Sequence, residues 1–309
     1  MLASVRGVAR RQLRGSVRGY RAPTGALNHC VDLVRQYDPD RFVCNLHAPP
    51  DARPALFALH AFNLETARIR TSTSDQNIGR MRLLWWRQAV AQSADGSPPD
   101  QPVVQALAHA GARHGWTWRF LEQVLDAREA DLELTQPESW PQLLLYCEHT
   151  AGALCLLARE CVAAAGEAPA EAQAAEQAAL QVGAALGIAT LLRGLRAHAA
   201  QGCTYVPADV ATRHGLALKD VLRGRASPAL SDAVSEMANE AVTHLLAARS
   251  LQRDLAPPTR AVLLPATVAE LILQRLEKCN FSPFAPEVAQ PLGLRLQMAA
   301  GWRGLRGTF

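Results

Sequence analysis

Apolar residues in this chain recur at three- and four-residue intervals, and no long stretch alternates apolar and polar as a half-buried strand would. Phe57, Ala61 and Leu64 share one helical face, as do Leu121, Val124, Leu125 and Leu132, and again Val234, Met237, Ala238, Ala241 and Leu245. Strong helix formers dominate: Ala, Leu, Arg, Gln and Glu. The periodicity therefore predicts an all-α protein, and 309 residues are enough for one sizeable helical domain. Helices are expected over 26–37, 51–71, 77–94, 116–134, 140–161 and 171–193, then around 234–245, 268–276 and 288–302. Asp38-Pro39 reads as a stop, and Asp51 as the cap of the second helix with Pro54 tolerated in its first turn. Segment 171–193 is Ala-rich, and its small residues suit close packing. No linker is long enough to force a second domain, so a single domain is expected over 26–302.

Arg6, Arg10, Arg11, Arg14 and Arg18 all lie in the first twenty residues, which hold no Asp, Glu or Lys. Taking these five from the formal charge of +4 leaves −1, so the rest of the chain lacks a bulk basic field for nucleic acid. The arginines interrupt any apolar run a secretory signal would need. Residues 1–20 thus read as a mitochondrial presequence, and Arg18-Gly19-Tyr20 predicts cleavage after Tyr20. The rival reading is a loose basic tail on a cytosolic protein. The seven cysteines show no CxxC spacing and read as small core residues in a reducing compartment. No run approaches the ~20 uncharged apolar residues of a membrane span. P-loop, dinucleotide, HExxH and GxSxG patterns are absent, and His109 and His114 miss the one-turn spacing of a helical metal pair.

Several segments, taken in order, resemble the squalene/phytoene synthase family. Ala58-Leu-His-Ala-Phe62 resembles the approach to its first acidic motif, and Leu84-Trp-Trp-Arg87 the helix that follows. Tyr146-Cys-Glu-His-Thr-Ala-Gly152 is similar to its tyrosine and Ala-Gly segment. Leu186 to Pro207, ending Gly202-Cys-Thr-Tyr-Val-Pro207, resembles its second acidic motif and the Tyr-x-Pro beyond it. The resemblance implies a single-domain isoprenoid-synthase-like helical bundle around a central cavity. In that family two aspartate-rich segments hold Mg²⁺ ions that clamp the diphosphate leaving group of a prenyl diphosphate. Carboxylates one turn apart share a face and can bind one hard cation.

This chain departs from that pattern where the chemistry lies. The first motif's aspartate positions hold Ala67, Arg68 and Thr71, and the second motif's hold Gly194 and His198. None is a carboxylate, so no catalytic residue, no metal ligand and no cofactor is assigned. Losing even ~4 kcal/mol of clamp would cost roughly a thousandfold in rate. Glu65 is expected to pair locally with Arg68. Asp126, Glu129, Asp131 and Glu133 cluster on one helix and read as a solvated face, although Glu129 and Glu133 have the spacing for a divalent ion. Tyr146, His149, Gly152, Arg193 and Tyr205 are the candidate pocket residues. Arg193 with Arg196 reads either as a metal-free site for an anionic head group or as solvated surface. Trp85 and Trp86 read as core aromatics.

Matrix targeting combined with lost aspartates is similar to one branch of the family, which acts in assembling mitochondrial respiratory complex I. Phe57-Ala-Leu-His-Ala-Phe-Asn63, Glu65 and Ile78-Gly-Arg-Met-Arg82 carry that likeness. It implies a matrix protein peripheral on the inner membrane, with complex I subunits or other assembly factors as partners and a prenyl lipid as a candidate cavity ligand. Two alternatives stand beside it. One is an active Mg²⁺-dependent prenyl-diphosphate synthase with relocated ligands; the other is a helical adaptor whose cavity is vestigial.

Overall fold

Prolines that look like breakers in the sequence mostly start helices. They occupy first-turn positions, where the missing N–H costs nothing because that group has no intrahelical acceptor. The computed structural model describes residues 24–309 apart from Ser74; the presequence expected over 1–20 lies outside the described residues. The helices are α1 (Thr24–Tyr37), α2 (Pro39–His47), α3 (Arg53–Ala67), α4 (Ile69–Ser72), α5 (Gln76–Ala94), α6 (Pro102–His114) and α7 (Arg119–Asp131). Then come α8 (Trp140–Cys147), a π-helical turn (Glu148–Gly152), α9 (Ala153–Glu160), α10 (Pro169–Arg193), α11 (Leu195–Ala200), α12 (Ala208–Arg213) and α13 (Leu218–Leu222). The last are α14 (Pro228–Ser250), α15 (Pro257–Val262), α16 (Pro265–Lys278), α17 (Pro286–Ala289) and α18 (Gly293–Arg306). Among the described residues there is no strand.

Asp38-Pro39 does not simply end a helix. Asp38 accepts from the Arg41 amide at 3.1 Å and Pro39 opens α2, so one dipeptide closes α1 and caps its successor. Asp51 does not cap α3; Ala52 stands at that position and no side chain caps it. Segment 102–114 also forms a helix that the periodicity did not single out, with Gln101 accepting from the Val104 amide at 2.7 Å.

α10 is the hub, packed against α8, the π turn, α9, α14 and α16. Its glycines let neighbouring backbones come close: a Cβ on Gly183 would lie 2.3 Å from Gly152 Cα, and one on Gly187 2.8 Å from Cys147 Cβ. This helix is long and apolar enough to span a membrane, against the expectation that no segment is, but its apolar window is 72% buried inside the bundle. One core gathers around α10, α14 and α16, with Leu186, Ile188, Met237, Ile272 and the C-terminal Phe309 inside it. A second joins α1, α3, α5, α6, α7 and α9, where Phe62 meets Trp86 edge-on at 5.3 Å. Trp86 belongs to this core, whereas Trp85 is 41% exposed. Six cysteines are buried, Cys279 is half-buried, and all seven are free thiols.

Candidate functional site

The helix running from α3 breaks at Arg68, and the break separates two arginines that lie two positions apart. Arg68 turns outward and lies over the Tyr37 ring, 4.2 Å from its centroid, rather than pairing with Glu65. Arg70, on α4, turns inward. Its Nη1 donates to Asp131 Oδ1 at 2.8 Å and to the Asp131 carbonyl at 2.6 Å, and its Nη2 to the Leu134 carbonyl at 2.5 Å. A guanidinium that satisfies a carboxylate and two carbonyls at a helix end is a strong, directional anchor.

Asp131, only 4% exposed, is the centre of a buried polar cluster. Tyr205 donates its hydroxyl to Oδ1 at 2.8 Å and Oδ2 at 2.7 Å, and Tyr146 approaches Oδ2 at 3.4 Å. The two tyrosine rings stack at 5.6 Å. Arg128, one turn before Asp131, donates to the Tyr146 hydroxyl and to Asn63 Oδ1 at 3.1 Å, which leaves its buried Nε without a partner. His198 meets the Tyr205 ring edge-on at 4.8 Å. Burial pushes the Tyr146 phenol up to about 12, and burial followed by the nearby Tyr146 and Asp131 raises that of Tyr205, so both remain protonated donors. Burial lowers His198 to about 4, keeping the imidazole neutral near pH 7. With two guanidiniums against one carboxylate, the cluster carries one net positive charge.

The structure brings Tyr146 and Tyr205 together and sets the other pocket candidates elsewhere. Arg193 is paired with Asp40 at 2.6 Å, and Arg196 donates to the Phe284 carbonyl, so neither guanidinium faces an open anion site. Gly152 is a packing residue against Gly183. His149 is half-buried on the π turn and takes no part in the cluster. Asn63, Arg70, Arg128 and Asp131 complete the site. Asn63, Arg70 and Arg128 are not among the site residues that the sequence suggests, and Asp131 reads there as part of a solvated face. The available signal lay on α7, where Arg128 and Asp131 continue the apolar stripe of Leu121, Val124 and Leu125, an arrangement that buries charge.

The positions that the sequence aligns with the family's acidic motifs hold no carboxylate for Mg²⁺. Ala67 is half-buried, while Arg68 and Thr71 are exposed. A Cβ on Gly194 would lie 2.6 Å from His198 Nε2, so an acid restored there would displace the imidazole. Among the described residues, no three His, Cys, Asp or Glu side chains are arranged to hold a metal. Of the other acids read as one solvated cluster, Asp126 pairs with Arg87 at 2.6 Å and Glu129 with Arg87 at 2.8 Å, while Glu133 lies beyond the end of α7 and pairs with Arg80. Beside the first motif a cleft of about 370 Å³ is lined by Glu65, Arg68, Ile69, Arg82, Trp85 and Trp86.

The squalene/phytoene synthase family model matches residues 34–299. The mouse protein "NADH dehydrogenase (ubiquinone) complex I, assembly factor 6" is 32% identical over 284 residues, covering 90% of this chain and 83% of its own. The Drosophila melanogaster homologue of that factor is 31% identical over 82% of this chain and 76% of its own. The crystal structure of a dehydrosqualene synthase in complex with ligand superposes with a TM-score of 0.79 at 16% identity, over 91% of this chain and 96% of the enzyme.

Proposed function

The chain belongs to the squalene/phytoene synthase family, and we propose that it is a non-catalytic member that acts in assembling respiratory complex I on the matrix side of the mitochondrial inner membrane. The observation that carries this reading is identity of about a third, over nine-tenths of the chain, to an assembly factor of that complex. The site chemistry supports it. Prenyl transfer in this family needs carboxylates that position a hard cation against a leaving diphosphate. Here those positions carry Ala67, Arg68, Thr71, Gly194 and His198, and a ready-paired Arg70–Asp131–Tyr205 cluster lies nearby. In such a cluster the one carboxylate is already engaged by Arg70 and Tyr205, which leaves it no acid to hold a cation against a leaving diphosphate.

The scaffold then serves binding. The cluster is buried between α4, α7 and the Tyr205 segment, and the outer surface and the cleft beside Arg68 are the parts that would meet complex I subunits or other assembly factors. The test has two arms. Purified full chain is expected not to condense farnesyl or geranylgeranyl diphosphate with or without Mg²⁺, and Mg²⁺-dependent diphosphate release would revive the synthase reading. NADH–ubiquinone activity is expected to fall when cells lose the protein; unchanged activity would remove the assembly role.

A further inference from the structure

The last helix, α18, has two apolar faces, and only one of them is covered. Leu296 and Ala300 are buried against the bundle, and α18 packs on α2 and α16. Leu294, Met298, Trp302 and Leu305 are 72%, 68%, 56% and 87% exposed. At the helical pitch these four fall within roughly 80° of arc, on the side away from the buried pair. Four long apolar side chains aligned on one outer face are not the scattered exposure of an ordinary surface.

Charge identifies what such a face fits. The segment Gly293–Arg306 contains Arg295, Arg303 and Arg306 and no acid. Arg303 is tied to Glu270 at the inner border. Arg295 and Arg306 are exposed and both border one edge of the apolar stripe, with the Arg306 guanidinium 4.2 Å from the Trp302 ring centroid. The basic character continues beside the helix: Arg275 is held below its usual value by burial and then by the charge of Arg295. A second exposed apolar group, Ile78, Met81, Leu84 and Trp85 on α5, differs in that Arg80 and Arg87 of that helix are neutralised by Glu133 and Asp126, and Arg82 donates to the Ser72 hydroxyl.

We infer that the outer face of α18 is a membrane-contact surface, with Leu294, Met298, Trp302 and Leu305 entering the interface of an anionic lipid bilayer and Arg295 and Arg306 engaging its phosphates. An interfacial helix needs an apolar stripe, bordering cations and an amphipathic aromatic at the boundary, and α18 supplies all three. This rests on the peripheral inner-membrane reading above and names the surface that reading lacks.

The test is flotation of the full chain with phosphatidylcholine–phosphatidylglycerol vesicles against pure phosphatidylcholine. The wild-type chain is expected to float with the anionic vesicles and to be released by salt. Met298→Glu with Leu305→Glu is expected to abolish flotation. Arg295→Gln with Arg306→Gln is expected to weaken it on the order of thirtyfold, about fivefold for each charge. Both variants change exposed side chains, and unchanged far-UV dichroism and thermal midpoint would show that they fold. Wild-type binding that survives both variants would overturn the α18 assignment while leaving attachment in place. Binding to native membranes but not to protein-free vesicles would make the face a protein-docking site, and a dimer dissolved by Leu305→Glu would make it a self-interface; either result overturns the lipid assignment. Alkaline carbonate treatment of organelles tests the parent reading separately: retention of the protein by the membrane would refute peripheral attachment whatever the vesicles show.

Discussion

Asp131 is held by Arg70 and Tyr205 in a space closed to solvent, and the cost of breaking such a set is asymmetric. Replacing the carboxylate by an amide leaves both guanidiniums, Arg70 and Arg128, without a counter-charge in the cluster, so Asp131→Asn is expected to destabilise the fold by about 3 kcal/mol. Tyr205→Phe removes one hydroxyl donor and is expected to cost about 1–2 kcal/mol. Urea unfolding of both variants checks the order; equal, negligible losses would mean that the cluster is not an anchor. His198 gives the site a pH signature. Its folded value of about 4 lies below the ordinary 6.5, so between those values the unfolded chain takes up a proton that the folded chain refuses. Stability is then complete above pH 6.5 and falls on acidification towards pH 4, by up to about 3 kcal/mol from this residue alone. His60, buried against Asn45 and lowered to about 3, adds to the same trend. His198→Gln is expected to flatten the acid limb of a stability–pH curve, and an unchanged limb would assign it elsewhere. At this scale the sequence marked five aligned positions without a carboxylate but not the buried cluster around Asp131. Asp131 hides among exposed acids on its own helix, and its inward direction depends on Arg70, sixty-one positions away.

Helix–helix spacing around α10 depends on glycine more than on the alanines that fill the segment. Gly183 faces Gly152 across the contact with the π turn, and a methyl group there would lie 2.3 Å from backbone, which cannot move as a side-chain tip can. Gly183→Ala is expected to cost about 3 kcal/mol and to lower the thermal midpoint, whereas Gly301→Ala, which meets nothing within 4 Å, should not destabilise. Comparable midpoints for the two would contradict this packing account. Helices with an apolar stripe were legible from spacing, among them α3, α7 and α14, whereas α10, buried on all sides from Val182 to Ala189, was legible from its Ala-rich composition. The α6 segment was not, because its neighbours Gly96, Pro98 and Pro99 dominated the local signal. Nor was the π turn at Glu148–Gly152, which no composition rule marks and which places Gly152 against Gly183. Asp38-Pro39 shows a similar ambiguity: a capping residue followed by proline ends one helix as readily as it starts another.

For the whole molecule, a synthase fold carries no carboxylate at the five positions that the sequence aligns with the family's acidic motifs, and an arginine–aspartate–tyrosine cluster lies in its interior. Returning carboxylates one motif at a time should not restore prenyl transfer. Gly194→Asp collides with His198, and even with His198→Asp added, the first motif would still offer only Ala67, Arg68 and Thr71. The double variant is expected to show no Mg²⁺-dependent diphosphate release, and measurable release would mean that the scaffold is closer to catalysis than the site chemistry implies. Fold class and family were readable from spacing and ordered segments because both depend on many residues at once. Partner and compartment rest on fewer. The predicted cleavage after Tyr20, checked by N-terminal sequencing of the organellar protein, bears on the second. The measurement that bears most directly on function is the amount of assembled complex I on native gels from cells lacking this protein, set against the other respiratory complexes. Assembled complex I is expected to fall selectively and to return when the wild-type chain is restored; normal complex I in cells fully lacking the protein would contradict the assembly role.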